Sequence, residues 1–88
     1  MSNNTLKIER VQTGVRLEKR MVKVLKALAE YHDISMGDLL EGIVLYALEG
    51  KAAPFEAETL GRIQQLKDIY GMDYGLEFAH KLVEVEGE

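Results

Sequence analysis

Eighty-eight residues leave room for one domain, and a single copy that small buries only about 60 to 65% of the surface its unfolded chain exposes. With no cysteine and only two histidines, His32 and His80, a disulfide framework is excluded and a structural metal is poorly supplied, so a second subunit is the expected staple. A formal charge of −4 excludes a uniformly basic binder of polyanions, but the average hides an asymmetry.

Residues 1 to 27 hold seven bases, Lys7, Arg10, Arg16, Lys19, Arg20, Lys23 and Lys26, against two acids, Glu9 and Glu18, a balance of +5. The remaining residues hold four bases and thirteen acids, a balance of −9. One face built for a polyanion, with the rest keeping the chain in solution, is what this separation implies. The first residues, Met1-Ser2-Asn3-Asn4-Thr5, lack the apolar core of a signal peptide, and no apolar run approaches the roughly 20 residues of a membrane span. A cytoplasmic protein with no membrane contact is expected, in keeping with the lack of cysteine.

In chain order, residues 1–7 read as a flexible arm. From Glu9, the residues Val11, Thr13, Val15 and Leu17 alternate with Arg10, Gln12, Gly14 and Arg16, the period of two that predicts a short strand. Everything after Leu17 reads as helix, so the strand has no partner within the chain, and an antiparallel ribbon between two identical subunits is the expected solution. Leu17, Met21, Val24, Leu25 and Leu28 then recur at intervals of three and four, predicting an amphipathic helix from about Glu18 to about His32. After Asp33-Ile34, the run Ser35-Met36-Gly37-Asp38 has the form of a capping box. It opens a second helix with Leu39, Leu40, Ile43, Val44, Ala47 and Leu48 on its apolar stripe and Gly50 as its stop.

Pro54 suits the first turn of a third helix from about Phe55 to Tyr70, with Leu60, Ile63, Leu66, Ile69 and Tyr70 on its apolar face. Gly71 would end it, and Asp73 would cap a last helix carrying Leu76, Phe78, Ala79 and Leu82 before a fraying acidic tail. The domain reading is therefore an arm over 1–7, a DNA-binding and dimerisation domain over 8–50, and a C-terminal helical extension over 51–88.

The run Thr13-Gly14-Val15-Arg16-Leu17-Glu18-Lys19-Arg20, then Leu28-Ala29-Glu30, then Ile34-Ser35-Met36-Gly37-Asp38-Leu39-Leu40 resembles the ribbon-helix-helix superfamily of Arc/MetJ-type repressors. The resemblance spans about residues 8 to 49 and rests on spacing, no single residue being diagnostic. It implies a mostly α fold, with an intersubunit two-stranded antiparallel β-ribbon and a C-terminal helical extension. The implied function is that of a homodimeric transcriptional regulator, a repressor or autoregulator, whose ribbon enters the major groove of double-stranded DNA. Higher assembly on DNA is possible for such dimers.

With Val15 and Leu17 turned inward, the implied base-reading face is Arg10, Gln12, Gly14 and Arg16, since arginine matches guanine and glutamine matches adenine in the major groove. A shift of register by one residue would instead turn Val11, Thr13 and Val15 outward. Gly14 departs from the family pattern, and close approach of backbone to DNA or a twist in the ribbon would account for it. The implied phosphate contacts are the helix start at Ser35, with the free amides of Met36, Gly37 and Asp38, and further backbone contacts at Lys7, Lys19 and Arg20.

No enzyme is expected, because neither histidine has a recognisable catalytic partner and the glycines form no phosphate loop. No cofactor and no metal are expected; His80, at helical spacing from Glu77 and Glu84, reads as a surface ion pair rather than a weak metal site. Residues 51–88 leave two readings open, a structural extension of the dimer core or, by analogy with antitoxins of the same superfamily, a surface for a protein partner.

Overall fold

The computed structural model describes residues 5–85. They form three helices, α1 (Lys19–Tyr31), α2 (Met36–Leu48) and α3 (Ala57–Tyr70), followed by one turn of 3-10 helix at Leu76–Phe78. The molecule is mostly α, but the described residues contain no strand, so the expected β-ribbon, and with it the ribbon-helix-helix architecture, is overturned.

The reason lies in what alternation requires. A period of two makes a strand only where a neighbour supplies the hydrogen-bond ladder and a surface covers one face. Residues 5–17 have neither: they run without regular structure, and both sides of the pattern are exposed, Val11 at 84% and Val15 at 76%. Of the expected arm over 1–7, residues 1–4 lie outside the described residues, as do residues 86–88 of the tail.

The helices begin and end on identifiable residues. Glu18 caps α1, its carboxylate accepting from the amides of Arg20 (3.0 Å) and Met21 (3.1 Å). Ser35 caps α2, its hydroxyl accepting from the Asp38 amide at 3.0 Å, so the first half of the capping box forms. At the other ends a left-handed residue turns the chain and the released amides bond back to the last carbonyls. Gly50 (φ 74°) does this after α2 and Gly71 (φ 70°) after α3. After α1 the position falls to Asp33 (φ 58°), with Asp33 N–H on Glu30 O and Ile34 N–H on Ala29 O, both at 3.0 Å.

Two expectations about the C-terminal part are corrected as well. The third helix begins at Ala57 rather than Phe55, so Pro54 precedes it instead of sitting in its first turn. The last helix does not form beyond Leu76–Phe78, because Gly75 is extended before it and His80 is left-handed (φ 64°) after it.

Helix α1 is the centre of the molecule, packed by α2 on one side and α3 on another. The core consists of Val24, Leu28 and Ala29 from α1, Leu39 from α2 and Leu66 from α3, with Leu25, Ile43, Phe55, Ile63, Tyr70 and Met72 partly buried around it. Residues of the 51–88 extension thus share one core with residues of 8–50. That core is small, and the second half of α2 is left out of it: Val44, Leu45, Tyr46, Ala47 and Leu48 are all exposed, Leu48 at 76%.

Candidate nucleic-acid interface

The four residues expected to read bases, Arg10, Gln12, Gly14 and Arg16, all lie in the exposed segment before α1, without a strand to align them. The guanidinium of Arg10 donates two hydrogen bonds to the Glu41 carboxylate on α2, at 2.9 and 2.8 Å. This fork-to-fork pair tethers the segment to α2. The Glu41 hydrogen bond raises the Arg10 pKa further, assisted by the charges of Glu41 and Asp38, while it holds the Glu41 carboxyl below its ordinary value. Arg16 pairs in the same way with Glu84 of the C-terminal segment. Gln12 is exposed. Gly14 has a backbone that any residue adopts, and a Cβ built on it would meet nothing within 4 Å, so neither close approach within the chain nor a left-handed turn explains it.

The expected phosphate contacts divide into three places. At the start of α2, Ser35 and Met36 line a shallow cleft of about 430 Å³ together with Lys26, but Glu30 and Asp33 line it too and Asp38 sits in the first helical turn. A cluster of acids at this helix start opposes an anion there. Gly37 is exposed beside them. Lys7 and Lys19 are exposed, the second in the first turn of α1.

Arg20 serves a different end. Its guanidinium donates to Glu18 at 3.1 Å, to the carbonyl of Gly71 at 2.8 Å and to Asp73 at 3.2 Å, and lies 5.5 Å from the ring centre of Tyr74. The Tyr74 hydroxyl donates to the Glu18 carboxylate at 2.6 Å. These contacts latch the chain after α3 onto the first turn of α1.

Burial in the latch would by itself raise the Glu18 pKa, but hydrogen bonds from the Tyr74 hydroxyl and from Arg20 and Met21 outweigh it and bring the carboxyl down to about 2. The Tyr74 hydroxyl is pushed up to about 12, first by burial and then by its bond to Glu18. Nothing in the spacing of the sequence marks Tyr74. A tyrosine four residues beyond a helix has no pattern to mark it, and its partner is 56 positions away.

Among the described residues no group of three or more His, Cys, Asp or Glu side chains is placed to hold a metal ion. No helix of the described residues is long and apolar enough to cross a membrane. Compared with models of protein families, with curated proteins and with solved structures, the chain matches none.

Proposed function

We propose that the protein is a homodimeric DNA-binding regulator whose contact surface is the exposed basic segment of residues 7–20 continued by Lys23 and Lys26 on α1. One observation carries this reading: seven of the chain's eleven bases fall within residues 7–26, three of them in the exposed segment without regular structure before α1 and four in α1 itself. Positive charge on an exposed chain without regular structure follows a phosphate backbone and adapts to it.

The case for a dimer rests on surface. The chain exposes 8003 Å², whereas a compact monomer of this length exposes about 5200 Å². The apolar second half of α2 is where a second copy would recover part of the excess, and two copies would double the basic patch.

Fluorescence anisotropy with a labelled duplex of about 20 base pairs, read between 50 and 200 mM salt, tests the reading. Affinity should fall at least a hundredfold over that range if several phosphates are neutralised, and Lys19→Gln with Lys23→Gln should flatten the dependence. Affinity that ignores salt, or no binding to any duplex, would overturn it.

A further inference from the structure

The three arginines of the basic segment are all engaged by carboxylates, and three of the four acids come from distant parts of the chain. Arg10 is held by Glu41 of α2, Arg16 by Glu84 near the end, and Arg20 by Glu18 and by Asp73 after α3. Among the described residues, the lysines of the same stretch form no ion pair.

The distinction between the two bases is chemical. The planar fork of arginine accepts a carboxylate and a phosphate in the same two-point geometry, so whichever anion occupies the fork excludes the other. The pairs of Arg10 and Arg16 are open to water: side-chain exposure is 69% and 47% for Arg10 and Glu41, and 84% and 66% for Arg16 and Glu84. Exposed pairs of this kind exchange partners at small cost. The Arg20 cluster is tighter, Glu18 being only 20% exposed, and it belongs to the fold.

Resting on the DNA reading above, we infer that Glu41 and Glu84 are an intramolecular mask, two carboxylates that occupy the phosphate-binding forks of Arg10 and Arg16 until a polyanion displaces them. The segment around Glu84 is placed for this: residues 82–85 line one open groove of about 870 Å³ together with residues 15–22. The mask holds the forks in a two-point geometry ready for phosphate, and it raises the threshold for weak or isolated anions, which cannot displace two carboxylates at once.

The test uses the full chain and the same labelled duplex at 100 mM salt. Glu41→Gln and Glu84→Gln remove one acceptor charge each while keeping size, and Glu56→Gln, which removes the same charge at an exposed position outside both pairs, is the control. Each of the first two should tighten binding about three- to fivefold and the double variant about tenfold, with the control changing it less than twofold. If the wild type binds with the expected salt dependence but the two variants match the control, the mask is disproved and the DNA reading stands. If neither the wild type nor any variant binds, the DNA reading fails and the mask with it.

Discussion

The Glu18 carboxyl concentrates more hydrogen bonds than any other side chain described above, and its chemistry sets a pH dependence. Its folded pKa of about 2 lies below the ordinary value of 4.5, so the latch stabilises the fold fully above pH 4.5 and that contribution is lost as pH falls toward 2. After allowance for solvent screening it is on the order of 1 to 2 kcal/mol. Glu18→Gln should therefore lower the thermal midpoint at pH 7 and leave a flatter decline between pH 5 and 2, read by circular dichroism. Tyr74 runs the other way. Its raised folded pKa favours the neutral phenol, so its contribution is present below pH 10 and lost as pH rises through about 12, and ultraviolet titration should find one of the four tyrosines ionising last. Tyr74→Phe should remove that late step.

At the scale of elements, the ends of the helices decide what substitutions do. Ser35→Ala removes the oxygen that accepts the Asp38 amide and should cost about 1 kcal/mol of stability, a fall in thermal midpoint of roughly 4 to 8 °C for a chain of this size. Gly71→Ala places a side chain at φ 70° and should cost about the same, whereas Gly14→Ala, with open space around it, should leave the midpoint unchanged. The boundaries of α1 and α2 were legible in the sequence because their signals are local: a three-and-four period, a serine three residues before an acid, a glycine after the last apolar residue. The strand was misread because its signal was only half local. Alternation over residues 10–17 describes a chain with two faces, but whether either face meets anything is decided elsewhere, and here Arg10 and Arg16 pair through their side chains with Glu41 and Glu84. Those pairings join residues 31 and 68 positions apart, and nothing in the spacing announces them.

For the whole molecule the governing fact is a shortage of core. The radius of gyration is 15.1 Å, against about 12 Å for a compact domain of the same length, and Leu28, at 2% exposed, is the most deeply buried residue of a five-residue cluster. Leu28→Ala should cost about 3 kcal/mol, a large part of what so small a chain has available. If two copies meet through α2, the thermal midpoint must rise with protein concentration. Leu45→Glu should abolish that rise and halve the mass seen by sedimentation equilibrium; a midpoint independent of concentration in the wild type would exclude the dimer.

The segment before α1 also sets a time scale. Its backbone amides belong to no helix or strand, so they should exchange with deuterium in seconds, while those around Val24 and Leu28 wait for larger openings of the fold. Trypsin should cut first after Arg10 and Arg16 and release a shortened chain that keeps its helices. A duplex that occupied those arginines would slow both processes along residues 7–17 and leave α3 untouched, giving a map of the contact surface that requires no substitution.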